Sequence, residues 1–334
     1  MRRWLTVLLA VVVIATLSVA AGCGGKSNTS TASPSSTSTS QELTAQQIFE
    51  KGMAAASAVK SESFTLDASL GIKGDPSKAS DAQTKALMQA PVTMKALGSL
   101  ANDPQKMDMT MNLAAAGQKF DVGLKMDGDN MWVQFMTDWY VLPKEMLSGI
   151  TGASPSPSAT SGTLTQQLQD TIKQLGIDPT AWTTEWKLVG TETLDGTEVY
   201  HLQQVLDVSK MVDDLMKVAG TASSLTGGLG STASPGTQQS LDEAATILKD
   251  ALKDVTVHWY FQKDDYYLRK MQVGGTMDFS GNADAQKQGL TSADYNLALT
   301  VGDFDKAVTV APPANPKPFD QLLNSLMGSG GISL

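Results

Sequence analysis

Three side chains of this 334-residue chain belong to types that often do covalent, proton-transfer or metal chemistry: Cys23, His201 and His258. They are its single cysteine and its two histidines. Each histidine lies in a predicted strand flanked by apolar residues, and neither has Cys, Asp or Glu at the spacing of a zinc site. We interpret both as partly buried sheet residues. Serine is abundant, but a serine nucleophile needs a base, and two strand histidines give it little support.

Other motifs that carry chemistry are absent from the sequence. The segment 127–130, Asp-Gly-Asp-Asn, is superficially similar to a calcium loop. Its glycine is at the wrong position and no Glu closes a 12-residue loop, so a hairpin turn is predicted there. There is no Gly-x-Ser-x-Gly, phosphate loop or His-Glu-x-x-His motif. The sequence therefore predicts no catalytic residue, metal or cofactor, and favours a protein that is not an enzyme.

Cys23 follows a segment with the three parts of a secretory signal peptide: basic residues 1–3, an apolar run over 4–21 and small residues at 20–22. Residues 19–23, Val-Ala-Ala-Gly-Cys, resemble the bacterial lipobox. That resemblance implies a diacylglyceryl group on the sulfur of Cys23 and cleavage after residue 22. The alternative is a transmembrane anchor, since the run approaches the roughly 20 residues that span a bilayer. The polar residues Thr6, Thr16 and Ser18 argue against it.

Charge and composition narrow the classes of partner. Without residues 1–22 the chain has 23 basic and 34 acidic side chains, a formal net charge of −11. Such a chain is not attracted to nucleic acid or to anionic lipid, so attachment to a membrane has to come from the acylated Cys23. Residues 23–41 are rich in Ser and Thr and hold no large apolar side chain, which predicts a disordered tether. We expect the protein at the extracytoplasmic face of the cell membrane.

Hydrophobic periodicity predicts one helix followed by many strands. Thr44 is the expected N-cap of a helix over 44–60. Period-two alternation then predicts strands over 64–72, 107–113, 120–126, 131–135, 139–142, 186–190, 199–203, 255–261, 267–273 and 295–301. Turns are predicted at 116–117, 127–128, 195–196 and 263–265. Strands that pair in sequence order are the simplest topology.

Helices are predicted near 78–100, 163–175, 207–219 and 239–252, with loops over 149–162 and 220–238. The proline-rich segment 312–318 should end the sheet, and a short helix over 319–326 should close the domain. The predicted class is α+β, with a large antiparallel sheet whose apolar face is covered by helices. We assign residues 1–22 to the signal peptide, 23–41 to the tether, 42–326 to a single domain and 327–334 to a flexible tail.

Methionine is unusually frequent, with 16 in the chain and a concentration between 107 and 136. This flexible and polarizable side chain fills irregular cores and also lines surfaces that accept varied apolar shapes. The pattern does not separate these two roles.

Several segments, taken in order, resemble the LppX/LprG type of actinobacterial lipid-binding lipoprotein, whose fold is similar to LolA and LolB. They are the lipobox Cys23 and the residues 56–64, 128–133, 138–140, 190–196, 199–202, 303–304 and 312–314. The resemblance implies a half-barrel of curved antiparallel strands, with helices on its concave side and an apolar cavity for acyl chains. Relative to that family, the segments 76–105, 149–165 and 220–238 are expected to be insertions.

The leading hypothesis is a membrane-anchored, non-catalytic lipoprotein that binds the acyl chains of a lipid or lipoglycan and carries or presents them in the cell envelope. An envelope transporter is the expected protein partner. The predicted cavity wall consists of Phe64, Leu66, Leu70, Met109, Met111, Phe120, Val122, Leu124, Val133, Phe135, Val257, Trp259 and Leu297. The alternative is a structural or sensing lipoprotein of the envelope with a filled interior and no lipid ligand.

Overall fold

The computed structural model describes residues 42–143, 176–227, 245–253 and 255–322. Cys23, the tether, the predicted loop over 149–162, the predicted helix over 163–175 and the tail over 327–334 lie outside these residues. The described chain divides into two compact units. One contains the described residues up to Ala58 and those from 176 to 282, and the other contains 59–143 and 283–322. The single domain over 42–326 stays a prediction.

The described helices and strands are each numbered in chain order. The helices are α1 (Ala45–Ala58), α2 (Ala82–Gln89), α3 (Val208–Gly227), α4 (245–251), α5 (Ala283–Lys287) and α6 (319–322), the described part of the helix predicted over 319–326. The strands are β1 (Ser61–Gly74), β2 (Val92–Asn102), β3 (Gln105–Ala115), β4 (Gln118–Asp127), β5 (Asn130–Phe135), β6 (Asp138–Val141), β7 (Thr183–Leu194), β8 (Thr197–Leu206), β9 (Val255–Gln262), β10 (Leu268–Asp278), β11 (Leu290–Gly302) and β12 (Lys317–Pro318). A 3-10 turn, Pro179–Trp182, precedes β7.

Most strands pair in sequence order as predicted, but that prediction is wrong for β11, which pairs with β1, and for β12, which pairs with β6. The four-stranded unit has the order β10-β9-β8-β7, and the eight-stranded unit has the order β12-β6-β5-β4-β3-β2-β1-β11. The pairs with a described register are antiparallel, except for the short parallel pair of β12 with β6. These pairs confirm the α+β class with antiparallel sheet structure.

The helix at the start of the described chain forms where the capping signal predicts it. The backbone N–H of Gln47 donates to Oγ1 of Thr44 at 3.2 Å, and the N–H of Thr44 donates to Oε1 of Gln47 at 2.9 Å. This reciprocal capping box satisfies two amide groups at the start of α1. The tight turns at 116–117 and 195–196 also form as predicted, with positive φ at both residues of each pair.

The predicted helix over 78–100 is wrong beyond Gln89. Only α2 forms, and β2 follows it and lies between β1 and β3. Ala, Met, Leu and Lys in this segment favour a helix, but the pairing partners on both sides outweigh that propensity. Residues 92–102 are therefore part of the sheet, and the expectation that 76–105 is an insertion relative to the family stays a prediction.

Two further boundaries differ from the sequence prediction. The helix predicted over 207–219 continues to Gly227, so the predicted loop over 220–238 is wrong for its first residues, and 228–238 lie outside the described chain. Sheet structure does not stop before the proline-rich segment, because Lys317 and Pro318 pair with Tyr140 and Val141 of β6. Proline has no backbone N–H, but at the edge of a sheet this does not deprive a neighbouring strand of a hydrogen-bond donor. The pairing is therefore permitted there.

The four-stranded unit is closed by α1, which packs on β7, β8 and β9. Ile48 of α1 is fully buried, and the ring of Phe49 lies 4.6 Å from that of Trp186 and 5.1 Å from that of Trp259. Gly52 sits directly against the ring of Phe261, which is itself fully buried. The helix can approach the strands this closely because Gly52 has no Cβ.

Among the residues that the structure describes, no helix combines the length and the apolar character needed to cross a membrane.

The contact of Gly52 with Phe261 gives a stability prediction. A Cβ at position 52 would overlap the Phe261 ring, which has no room to move. We expect Gly52→Ala to lower the free energy of unfolding by about 1 to 3 kcal/mol, although alanine favours a helix more than glycine does. Urea unfolding measures it. The control is Gly71→Ala in β1, where the added Cβ meets no atom within 4 Å. A Gly52→Ala variant as stable as the wild type would contradict the packing described.

Candidate functional site

One face of the eight-stranded unit is apolar across seven neighbouring strands. Residues paired directly in an antiparallel sheet point to the same side, so the register defines rows of neighbouring side chains. The longest row crosses β11, β1, β2, β3, β4, β5 and β6 through Val301, Phe64, Gly98, Met109, Leu124, Val133 and Tyr140. The next row contains Leu299, Leu66, Ala96, Met111, Val122 and Phe135. A third contains Leu297, Ala68, Met94, Leu113 and Phe120.

We call this surface the apolar face. It contains eleven of the thirteen residues predicted to line a cavity: Phe64, Leu66, Leu70, Met109, Met111, Phe120, Val122, Leu124, Val133, Phe135 and Leu297. Nine of the eleven are half-buried, and only Leu70 and Leu297 are buried. Side chains with this intermediate exposure keep part of their apolar surface available. Their role as a cavity wall stays a prediction.

The two other predicted wall residues, Val257 and Trp259, belong to the four-stranded unit and are buried there. The indole of Trp259 is in contact with Phe49 of α1 and stacks near Phe261 with 6.2 Å between the ring centroids. Its Nε1–H donates to Oε1 of Gln204 at 2.8 Å, and Nε2 of Gln204 donates to Oγ1 of Thr183 at 2.6 Å. Both residues therefore take part in a packed core with a satisfied polar group.

Sequence reasoning missed the contribution of β2 to the apolar face. Met94, Ala96 and Leu100 lie on it, next to β1 on one side and β3 on the other. The available signal was the alternation of Val92, Met94 and Ala96 with polar residues after Pro91, which indicates a strand. This alternation is short and is surrounded by helix-forming residues, so it did not indicate a strand clearly.

A carboxyl group stands at one end of the apolar face. Glu62 begins a row that continues through Leu100, Met107, Met126 and Met131. Burial raises the pKa of Glu62 above its ordinary value. Charge is disfavoured at this position because the neighbouring side chains in the row offer no polar group.

The opposite face of the eight-stranded unit is polar and carries ion pairs between neighbouring strands. Lys95 lies 3.6 Å from Asp67, and Lys125 lies 3.3 Å from Asp108. An exposed pair such as that of Lys95 with Asp67 contributes less than about 1 kcal/mol. Trp132, Trp139 and Val141 lie on the same side in β5 and β6, and Trp132 is buried there, so the polar character of this face belongs to β11 and to β1 to β4.

The sequence predicts the two histidines only as partly buried sheet residues. In the structure they are neighbours in the four-stranded unit. Nδ1 of His201 lies 2.5 Å from Oε1 of Glu192, and Nε2 of His201 lies 2.8 Å from Nδ1 of His258. Tyr260 stacks on His201 with 4.4 Å between the ring centroids. With both rings neutral, His258 donates to His201 and His201 donates to Glu192. The three side chains come from β7, β8 and β9, so only the strand register brings them together.

The electrostatics of this chain of hydrogen bonds favour a neutral His258. Burial, and then the neighbouring His201, hold the pKa of His258 below its ordinary value, while Glu192 acts in the opposite direction. Burial and Glu192 raise the pKa of Tyr260. A proton on both histidines would place two N–H donors against each other and break the bond between the rings.

In the described residues there is no group of three or more His, Cys, Asp or Glu side chains placed to hold a metal ion. The Asp127–Asn130 segment is the turn between β4 and β5, as the sequence predicted.

Comparisons with known proteins give one partial family match and several distant structures. Residues 44–183 match a model described as a family of unknown function, DUF6612. No curated protein matches the chain. Among solved structures, the Mycobacterium tuberculosis lipoprotein LppX is 13% identical with a TM-score of 0.37, and 80% of this chain and 98% of that one are covered. LprF from Mycobacterium bovis is 11% identical with a TM-score of 0.39, and the coverage is 81% and 97%.

A putative outer membrane lipoprotein-sorting protein domain from Vibrio parahaemolyticus is 8% identical with a TM-score of 0.21, and 80% of this chain and 94% of that one are covered. LppX is of the type that the sequence resembles. Because every one of these TM-scores is below 0.5, the function has to be argued from the residues of the chain itself.

The histidine pair gives a prediction of pH dependence. The pKa of His258 is lower in the folded protein than in the unfolded chain, so the unfolded chain takes up more protons as the pH falls through about 6.5. The contribution of His258 to stability is complete above that pH and is lost below it. We expect the free energy of unfolding of the wild type to fall more steeply between pH 8 and pH 5 than that of His258→Asn. Parallel curves in chemical unfolding would show that His258 is not perturbed.

Proposed function

We propose that this chain is a membrane-anchored lipoprotein of the cell envelope that binds the acyl chains of a lipid or lipoglycan and carries or presents them without catalysis. The observation that carries the proposal is the apolar face, where rows of aliphatic, aromatic and methionine side chains continue over seven strands and are mostly half-buried from β1 to β5.

The energetics of a lipid in water explain why such a surface is useful. An acyl chain of about 16 carbons exposed to water costs on the order of 12 kcal/mol, at about 0.8 kcal/mol for each CH₂. A face that replaces this water contact with side-chain contact lowers the barrier to moving the lipid away from a bilayer. Methionines such as Met109 and Met111 suit a guest of irregular shape, because their side chains are flexible and polarizable.

The membrane attachment in this proposal rests on the lipobox resemblance at Cys23. Two acyl chains on one residue give stable anchoring where a single chain is marginal. The acidic charge of the chain supplies no electrostatic attraction to anionic lipid, so the acyl group is the whole anchor. An envelope transporter is the protein that such a carrier would exchange lipid with.

The alternative, a structural or sensing lipoprotein with a filled interior, is favoured by one observation. In the four-stranded unit, α1 places Ile48, Phe49 and Gly52 on the strands and leaves Val257 and Trp259 buried against protein. That unit contributes a packed core, and the case for lipid binding therefore depends on the eight-stranded unit.

The first test compares two lysine substitutions at adjacent positions of β3. Met111 lies on the apolar face, whereas Asn112 is exposed on the polar face and donates to Asp121 at 2.7 Å. Each variant is made in the chain from residue 23 with serine at that position, and lipid is extracted and quantified by mass spectrometry. We expect Met111→Lys to carry at least about tenfold less lipid than the wild type, because removing an ammonium group from water costs several kcal/mol. Asn112→Lys should carry as much as the wild type.

Thermal unfolding of both variants checks that each is folded, and Met111→Gln serves as a milder polar change. Lipid absent from the wild type, or equal in Met111→Lys and Asn112→Lys, would count against a lipid site on the apolar face and favour the filled alternative.

The second test concerns the anchor. Without a sulfur at position 23 no thioether to diacylglycerol can form, so we expect the wild type to incorporate a labelled fatty acid fed to a producing cell and Cys23→Ser to incorporate none. Gel electrophoresis and detection of the label measure this, with Ser27→Ala in the tether as the matched control that should be labelled as the wild type is. A wild-type chain that takes up no label would favour an anchor by the apolar run over residues 4–21.

A further inference from the structure

A strap crosses the polar face of the eight-stranded unit. We use this name for residues 303–316, which connect β11 to β12. The N–H of Asp305 donates to the carbonyl of Ser61 at 2.8 Å, and the hydroxyl of Ser61 donates to the carbonyl of Lys306 at 2.5 Å. Further along, Nζ of Lys125 donates to the carbonyl of Ala311 at 3.1 Å. The strap is thus fixed to the sheet at both sides of its central part.

The central part of the strap, residues 307–310, has unpaired backbone groups. It is neither helix nor turn, and burial alternates along it as in a strand, with Ala307 and Thr309 exposed, Val308 half-buried and Val310 buried. None of its N–H or C=O groups makes a hydrogen bond to any part of the chain that the structure describes. A row of free backbone donors and acceptors in a strand-like segment is a template for another strand.

A groove lies beside this segment. Its volume is about 500 Å³, and it is lined by Ala307, Val308 and Thr309 of the strap and by Leu97, Asp108 and Thr110 of the sheet. This volume falls in the range of about 300 to 1,000 Å³ that is common for ligand sites. Leu97 is 44% exposed and is a large apolar side chain among the mostly polar residues that β1 to β4 present on this face.

We propose that this groove binds an extended, lysine-bearing peptide segment of a partner protein, which pairs with residues 307–310 of the strap as an added strand. The strap supplies the main-chain hydrogen bonds, and Leu97 and Thr110 supply a floor for alternate side chains of the peptide. The carboxylates of Asp108 and Asp303 line the groove, and so does Lys306. Both carboxylates already have an ion-pair partner, Lys125 at 3.3 Å for Asp108 and Lys306 for Asp303. The net charge of −9 of the whole chain is what favours a cationic segment over an acidic one.

This site differs from the proposed lipid site in position and in chemistry. Leu97 and Thr110 are paired with each other in the sheet, and they point away from the rows that contain Ala96 and Met111. Peptide binding and lipid binding therefore have separate variants, and loss of one does not require loss of the other.

The test uses the full chain in a mild detergent and a fluorescent eight-residue peptide of alternating lysine and valine, with both ends capped. Fluorescence anisotropy gives its dissociation constant. We expect saturable binding, and at least about tenfold weaker binding to a chain carrying Val308→Pro and Thr309→Pro, which loses two backbone donors. Thr110→Trp, which fills the groove, should weaken binding by a similar factor and covers the case in which the proline variant does not fold.

Two controls separate strand addition from attraction by charge. Thr93→Trp places the same ring on the same face of β2 outside the groove and should leave the dissociation constant unchanged. The same peptide with N-methylated backbone amides, which has lost its donors, should not bind. Met111→Lys should bind the peptide as the wild type does. The proposal is overturned if no saturable binding is found, if the N-methylated peptide binds equally well, or if Thr110→Trp and Thr93→Trp have the same effect.

Discussion

The strand register is the constraint on which the rest of this protein depends. Side chains alternate between the two faces of a strand, so a shift of one residue in any pair would move a whole apolar row into water. In the eight-stranded unit the register holds over the six strands from β1 to β6 without such a shift. The same alternation places the ion pairs of Lys95 and Lys125 on the opposite side of the sheet. A molecule with one apolar face and one polar face results from that single geometric rule.

The two units use their strands differently. In the four-stranded unit the helix α1 supplies Phe49 to an aromatic cluster, and large side chains such as Phe261 and Leu202 are fully buried. In the eight-stranded unit most of the central apolar side chains stay half-buried. Stability and ligand capacity compete for the same kind of residue, because a side chain packed on the protein's own groups has no surface left for a guest. The four-stranded unit therefore contributes mainly to stability, and the eight-stranded unit keeps apolar side-chain surface for contact with a ligand.

Much of the fold could be predicted from alternation alone, because a half-buried strand displays its two faces in the sequence. The strands containing Phe64, Met109 and Val122 were predicted in this way, and so was the capping box at Thr44. β2 was not predicted as a strand, because its residues favour a helix and only the neighbouring strands impose the extended conformation. The contact of His201 with His258 could not be predicted, because it depends on the pairing of β8 with β9 and not on any local pattern. No sequence pattern indicates the groove beside the strap. Whether a backbone amide lacks a hydrogen-bond partner depends on which residues surround it in the folded chain.

The pairing of β1 with β11 has a consequence for the order of folding. Ser63 lies opposite Gly302, so nearly the entire described chain separates two adjacent strands. Ordering such a distant pair requires closing a very large loop before any compensating contact is gained, and proteins dominated by distant pairs fold slowly. One flank of β1 therefore stays without its partner until β11, Leu290–Gly302, has emerged. A nascent chain in this condition offers an open hydrogen-bonding edge, which can pair with another molecule until β11 occupies it.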